Sequence, residues 1–439
     1  MHWTLRLRKR SAVGTTAVAA IVLGAAIAQA KPSEHLTTTP DVVGSAGLAT
    51  GVRQLASLSP PSASPSLWYG RQLATAGNVL AVLAPVTAKT ATRRGPIVFV
   101  YARRGDTWRD PRLVARLGVG GGDAIEIPTA IAMTRNVIAV GDPAAGNVTT
   151  PSAGAVYLFA RGRHGWHDEM QTATVGVPGI EYLGNRIALS GNTLAATGWS
   201  APQHTGVTAV LATAAAYHRA RLLTQLPGPG VSQQGPTNLT LAMTRGEIAV
   251  ANPGGGRGSV AVFVPGHKGW RSPLLGAKLA TGRRPASQLG AAMAFAGKEL
   301  VVSAELRRTH AASGLSALLV YARRPARSTR MAPTATLTAT GGANDSLGFS
   351  LAANAREVVA GDPNWHVPGR GEGAVYIFRK APRWPSQAAE PVLSSGGRGF
   401  GAAVALGQGV LGVGAYQQAG GRGAAKLYSA PAAVPNAMG

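Results

Sequence analysis

The sequence contains no cysteine and has few acidic or aromatic residues. Among its 439 residues only 18 are Asp or Glu, and aromatic residues make up 5%. The absence of cysteine excludes a disulfide framework, thiolate zinc sites, iron–sulfur clusters, a cysteine nucleophile and lipid attachment to a cysteine. Because Lys and Arg number 43, the formal net charge is +25, which favours an anionic partner.

The remaining composition is that of a folded protein. Apolar residues make up 45% of the chain and charged residues 14%, which argues against a mostly disordered chain in spite of 58 glycines. Helical periodicity is absent. The length is compatible with two or three average domains or with one large all-β ring.

The N-terminus has the pattern of an export signal. Basic residues within 6–10 precede an apolar run over 12–27, and the triplet Ala28-Gln29-Ala30 has the form that signal peptidase cleaves. We therefore predict a Sec-type signal peptide over residues 1–30, with an uncleaved anchor as the alternative. The mature chain is then periplasmic or extracellular, and no later run is apolar and long enough to span a bilayer.

A degenerate repeat runs through the rest of the chain. Seven copies begin near residues 69, 127, 183, 238, 289, 347 and 400, with a mean period of about 55 residues. The copies read as four short strands separated by Gly, Pro and Asn turns, of which the seventh copy has three, and the third strand begins with glycine in every copy except the ragged third, where only 206–211 is a candidate. This pattern predicts an all-β fold, a seven-bladed β-propeller over residues 50–430, with a linker over 31–49 and a tail over 431–439.

The strand count also predicts how the ring closes. The seventh copy ends after its third strand at Tyr428, whereas Gly51–Leu58 reads as a fourth strand without a blade of its own. We expect these two segments to pair, which would remove the open edges of the array. The alternative for residues 51–58 is a disordered linker.

The repeats resemble the FG-GAP family found in integrin alpha-subunit heads and in bacterial exported proteins. The Phe-Gly signature stands at Phe400-Gly401, with Tyr69-Gly70 and three Leu-Gly versions beside it. The Gly-Ala-Pro signature takes the form Gly-Asp-Pro at 141–143 and at 361–363. The resemblance covers about residues 50–430 and implies a seven-bladed propeller.

The sequence departs from that family where integrin blades bind calcium. Their Asp-rich loop lies between the first and second strands, because calcium needs several converging oxygens. The corresponding turns here, such as 75–78 and 407–409, contain no aspartate. We therefore predict no metal and no cofactor. Asp142 and Asp362 follow the second strand instead, and we interpret them as Asx-type turn formers rather than as ligands or catalysts.

No catalytic constellation stands out from the sequence. The chain has no phosphate-loop lysine motif, no His-Glu-x-x-His and no Gly-x-Ser-x-Gly. We predict a non-catalytic binding module, monomeric as a ring. An enzyme with a site in the central channel is the alternative, because propellers gather single residues from several blades.

The most variable loops, between the second and third strands, suggest a partner site. In the resembling integrin heads this loop contributes to the ligand face. The candidate residues for contact with a protein or glycan partner are Trp199, His204, Trp365, His366 and Tyr416. The alternative is that these rings pack locally and stiffen the loops.

The turns between the third and fourth strands carry basic residues in six of the seven copies. Symmetry would bring these residues onto one rim, which predicts polyanion binding as the alternative function, with envelope or extracellular polysaccharide as ligand. Composition bias in a GC-rich genome would also produce such an excess of arginine. The candidate rim residues are Arg103, Arg104, Arg161, Arg163, Lys268, Arg323, Arg324, Arg379, Lys380 and Arg383.

Overall fold

The computed structural model describes most of the chain from residue 51 onward. All described residues lie in one compact unit, Thr38–Gly439. The predicted signal peptide, the predicted tail and most of the predicted linker lie outside them. The described residues are 42–43, 51–61, 68–85, 97–119, 128–146, 153–213, 219–230, 238–254, 257–282, 285–306, 315–322, 330–339, 346–367, 371–380, 382–384, 393–394 and 399–430.

These residues form seven sheets, one for each repeat, and the predicted all-β, seven-bladed propeller is confirmed. In each sheet, or blade, the four main strands pair antiparallel. No helix in the described part of the chain has the length and hydrophobicity needed to cross a membrane. From first to fourth strand, the blades consist of Gln72–Ala76, Val79–Leu83, Val98–Arg104 and Thr107–Gly118 in blade 1; Ala130–Met133, Val137–Asp142, Ala155–Ala160 and Ala173–Val175 in blade 2; Ile187–Ser190, Thr193–Ser200, Thr205–Thr213 and Ala220–Pro227 in blade 3; Thr240–Met243, Ile248–Asn252, Ser259–Gly266 and Gly269–Leu279 in blade 4; Met293–Ala296, Glu299–Leu306, Leu315–Ala322 and Ala335–Thr338 in blade 5; Ser350–Ala353, Glu357–Val367, Gly371–Arg379 and Leu393–Ser394 in blade 6; and Phe400–Gly407, Val410–Ala415, Ala424–Ser429 and Gln54–Leu58 in blade 7.

Five two-residue strands extend individual blades. Val42–Val43, within the predicted linker, pairs with the fourth strand of blade 6. The other four are Glu169–Met170 on blade 1, Ile180–Glu181 on blade 3, Ala286–Ser287 on blade 5 and Arg330–Met331 on blade 4.

The first strands surround a central channel. The first strand of each blade contacts the first strand of the next, and blade 7 contacts blade 1 in the same way, so the ring is closed. Their sequences, such as Ala-Ile-Ala-Met in blade 2 and Ser-Leu-Ala-Ala in blade 6, are small and apolar. Across the seven described first strands there is no Asp or Glu.

The hydrophobic core is divided among the junctions between blades. Seven clusters of buried side chains exist, and each is shared by two neighbouring blades. Alternation along a strand explains this, because each blade presents apolar residues to both of its neighbours. A tryptophan that follows the third strand takes part: Trp384 belongs to the cluster that blade 6 shares with Ala296 and Val301 of blade 5, and its Nε1 donates to Glu299 Oε2 at 2.6 Å.

The predicted closure of the ring is confirmed. Gln54–Leu58 pairs antiparallel with Ala424–Ser429, with Ser57 opposite Lys426 and Leu58 opposite Ala425. The segment also serves two junctions, because Val52 is buried in the core between blades 6 and 7, and Leu58 in the core between blades 7 and 1.

The glycines of the repeat signature lie where neighbouring blades meet. Gly154, at the start of the third strand of blade 2, forms a parallel bridge with Leu183 of blade 3. Its φ is +72°, and a Cβ there would overlap with the backbone of Leu183. Gly141, at the end of the second strand, lies equally close to Gly184 of blade 3. The Gly and Phe-Gly signatures are therefore positions of close backbone approach.

Candidate functional site

Antiparallel pairing places two sets of turns at the same end of the ring. The turns between first and second strands, here called inner turns, lie beside the turns between third and fourth strands, here called outer turns. Backbone hydrogen bonds join them, as from Arg103 N to Asn78 O at 3.1 Å and from Lys380 N to Arg356 O at 2.8 Å. We call this end of the ring the basic face. The loops between second and third strands lie at the other end, the loop face.

Most of the predicted rim residues lie on the outer turns of the basic face. Arg323 and Arg324 lie outside the described residues. The others divide by exposure: Arg104, Arg161, Arg163, Lys268 and Arg383 are exposed, whereas Arg103, Arg379 and Lys380 are half-buried.

Four of these cations have carboxylate partners. Arg104 Nη1 lies 2.7 Å from Asp110 Oδ2, and Arg103 Nη2 lies 3.7 Å from Asp106 Oδ1. Both aspartates are exposed, so these pairs are screened by solvent and contribute little.

The two remaining pairs are less exposed and serve the fold. Arg379 Nε lies 3.3 Å from Glu357 Oε1, and Lys380 Nζ lies 2.8 Å from Glu299 Oε2 of the preceding blade. Burial raises the pKa of the Glu357 carboxyl, and the charge of Arg379 opposes that rise. Arg379 and Lys380 therefore neutralise glutamates within the ring, and they offer less charge to a ligand than the sequence predicts.

The inner turns add cations that the sequence analysis did not select. Exposed basic residues stand on the inner turns of four blades, and within the described part of the chain none of them forms an ion pair. They are Arg135, Arg245, Lys298 and Arg356. The sequence could have identified these inner-turn cations, because in a four-stranded antiparallel blade the first and third turns must lie at the same end.

Carboxylates on the inner turns point inward rather than to solvent. Glu247 and Glu357 are buried, and Glu299 is half-buried. The remaining inner turns carry neutral residues such as Asn78, Asn192 and Gln408. The basic face therefore has an inner and an outer set of cations, and charges of one sign gathered at one end of the ring add their fields.

The loop face differs from what the sequence predicts. Trp199 and Trp365 are buried, so the expectation that they are exposed is wrong. Trp365 belongs to the apolar core between blades 5 and 6, where burying the large ring is more favourable than solvating it. His204 and His366 are exposed, and Tyr416 is half-buried. A partner-binding role for these five residues remains a prediction.

Two arginines stand at the start of first strands, on the loop-face end of the channel. Arg71 stacks on Trp68, with Cζ 5.1 Å from the ring centroid. Burial lowers the pKa of Arg186, and the charge of Arg71 lowers it further. Burial raises the pKa of Tyr416, and Arg71 opposes that rise. The charges of Arg71 and Arg186 therefore lie close enough to repel each other.

Asp142 is the last residue of the second strand of blade 2, and Asp362 lies at an irregularity within the second strand of blade 6. Both are turn formers, as predicted, because Asp362 accepts hydrogen bonds from the backbone of Asn364 and Trp365 and Asp142 accepts one in the same way. Asp142 Oδ1 accepts from Ala144 N at 3.2 Å, an Asx turn. Asp362 Oδ1 accepts from Ser346 N at 3.0 Å and from Ser346 Oγ at 2.8 Å, which ties the second strand of blade 6 to the preceding loop.

Asp362→Asn should alter how stability depends on pH. Burial raises the pKa of Asp362, although its hydrogen bonds from Ser346 act against this. The folded protein therefore keeps the proton to higher pH than the unfolded chain, so this carboxyl lowers stability as pH rises through that interval. Asn does not ionise. The free energy of unfolding of Asp362→Asn, measured between about pH 4 and 7, should rise relative to the parent as pH rises.

The control for that measurement is Asp106→Asn, which also removes one carboxyl but at a fully exposed turn. A difference between parent and Asp362→Asn that stays constant over the pH range would contradict the assignment.

In the described stretches, no group of three or more His, Asp and Glu side chains is arranged to hold a metal ion. The sequence prediction that the protein uses no metal is not tested by this. The channel walls contribute no carboxylate pair either, since the described first strands carry no Asp or Glu.

No family model and no curated protein matches the chain. An acylaminoacyl peptidase from Pyrococcus horikoshii is 8% identical, with a TM-score of 0.42, over 80% of this chain and 49% of that chain. A putative 6-phosphogluconolactonase from Bacteroides fragilis is 10% identical, with a TM-score of 0.42, over 82% of this chain and 94% of that chain.

The β-propeller domain of the trilobed protease from Pyrococcus furiosus is 6% identical, with a TM-score of 0.36, over 66% of this chain and 77% of that chain. The chain spans about half the length of the P. horikoshii peptidase. At these identities the likenesses concern the fold alone.

Proposed function

We propose that this chain is an exported FG-GAP-type propeller that binds an acidic polysaccharide on its basic face, without catalysis. The observation that carries the proposal is the inner set of Arg135, Arg245, Lys298 and Arg356, which is exposed and, among the described residues, not neutralised by ion pairs. The seven repeats support the FG-GAP assignment. The signal-like N-terminus supports an envelope or extracellular setting.

Several properties of the face suit a long acidic polymer. A polymer with repeated carboxylates or sulfates contacts many cations at once, so weak individual contacts add. Guanidinium groups match both anions in bidentate geometry. The loop face supports a protein partner less well, because the two largest candidate anchors, Trp199 and Trp365, are buried.

The test is retention on a heparin column with a matched control. The variant replaces Arg135, Arg245, Lys298 and Arg356 by alanine. The control replaces four exposed cations that lie away from the turns of the basic face: Arg186, Arg257, Lys278 and Arg422. Both lose the same formal charge. We expect the inner-turn variant to elute at roughly half the salt concentration of the parent, since each lost contact reduces counterion release. The control should elute close to the parent.

Equal shifts in the two variants would mean that net charge alone sets retention, and the proposal would fail. Passage of the parent through the column at low salt would also overturn it.

A further inference from the structure

We propose that a cavity between blades 3 and 4 binds a sugar carrying a phosphate or sulfate monoester. The cavity is a shallow depression that is largely open to solvent, with a volume of about 340 Å³. The inference goes beyond the proposed function, because the cavity is formed by its own residues and would bind its ligand whether or not the basic face binds a polymer. Its lining residues are Ala212, Thr213, Arg219, Ala220, Arg221, Leu223 and Arg271.

The geometry of two outer strands creates the cavity. Arg221 lies opposite Ala212 and Ala220 opposite Thr213 in the ladder of blade 3. The third strand of blade 3 has a bulge between Val210 and Leu211, next to these two pairs. Blade 4 contributes Arg271, next to Trp270, which is buried in the core shared by these two blades.

Three arginines therefore line one cavity. Arg219, Arg221 and Arg271 are all exposed, and the cavity lining contains no carboxylate. Within the described residues none of the three takes part in an ion pair. The positive charges of the three arginines repel one another, so a bound anion would stabilise this arrangement.

The apolar part of the lining indicates what else the ligand carries. Leu223 packs against the core between blades 3 and 4, and Ala212 and Ala220 complete an apolar surface beside the arginines. A volume near 340 Å³ is in the range of small-molecule sites and exceeds what one inorganic anion needs. A sugar ring has an apolar face of C–H groups that can lie on this surface while its ester group meets the guanidinium forks.

Calorimetric titration at low ionic strength tests the site with three probes: glucose 6-phosphate, inorganic phosphate and glucose. We expect one binding site for glucose 6-phosphate, weaker binding of inorganic phosphate and no heat from glucose. Arg221→Ala and Arg271→Ala should each weaken glucose 6-phosphate binding about tenfold or more, because each removes a charge-assisted contact.

The matched control is Arg112→Ala. Arg112 lies opposite Ala102 in blade 1, the position that corresponds to Arg221 opposite Ala212 in blade 3, and it does not line the cavity. The affinity of the Arg112→Ala variant for glucose 6-phosphate should stay within about twofold of that of the parent. Arg221→Lys, which keeps the charge but loses the fork, should fall between parent and alanine variant. Thermal unfolding of each variant checks that the fold is intact.

Absence of glucose 6-phosphate binding by the parent, or equal losses in Arg221→Ala and Arg112→Ala, would overturn the inference. Heparin retention depends on the inner turns and sugar-phosphate binding on the cavity, so the two proposals fail separately.

Discussion

Gly154→Ala is expected to lower the free energy of unfolding by about 2 to 6 kcal/mol. Two costs combine. A non-glycine residue at a φ of +72° costs of the order of 1–3 kcal/mol. The added Cβ also overlaps with backbone atoms of Leu183 in the next blade, and backbone cannot rotate away as a side chain can, so overpacking adds about 1–3 kcal/mol. Guanidinium denaturation followed by tryptophan fluorescence measures the effect.

Gly105→Ala separates the two costs. Gly105 has a φ of +57°, but nothing lies within 4 Å of the Cβ it would gain. Alanine there should lower the free energy of unfolding by about 1 to 2 kcal/mol, from the backbone conformation alone. If both variants lose the same amount, the close contact between blades is not what requires glycine at position 154.

A chain that begins at residue 59 is expected to lose more than about 4 kcal/mol of stability relative to one that begins at residue 51. The missing strand, Gln54–Leu58, completes blade 7. Its removal takes Val52 and Leu58 from the cores on either side of that blade and exposes the edge of Ala424–Ser429. Denaturation curves measure the loss of stability and of cooperative unfolding. Light scattering measures aggregation through the open edge.

A synthetic peptide of residues 51–60 provides the control. It should bind the shortened chain as an added strand and restore the cooperative transition, whereas a scrambled peptide should not. A shortened chain that unfolds as cooperatively as the longer one would show that the strand is not needed for closure.

The features that follow from local repetition could be predicted from the sequence. Seven copies, six of them with a clear Gly-started third strand, define seven sheets, and counting strands placed Gly51–Leu58 in the last blade. Asp142 as a turn former also follows from local chemistry, because its hydrogen-bond partner is only two residues away.

Features that depend on the neighbouring blade could not be predicted in this way. Lys380 pairs with Glu299, 81 residues earlier in the chain, so its charge is partly neutralised by a residue outside its own repeat. From the sequence, Trp365 is interpreted as an exposed loop aromatic, but it is buried in the core between blades 5 and 6. The cavity beside Arg221 and Arg271 exists only because the outer strands of two blades meet.

The two ends of the ring differ in how rigidly neighbouring blades are joined. Towards the loop face, backbone meets backbone through pairs such as Gly141 with Gly184 and Gly361 with Gly401, with no side chain between them to rearrange. Towards the basic face, neighbours meet through side chains such as Lys380 with Glu299 and Trp108 with Gln408. Because close-packed backbone has no rotamers to change and side-chain contacts do, we expect the junctions between blades to be stiffer towards the loop face, which would fix the diameter of the ring at that end.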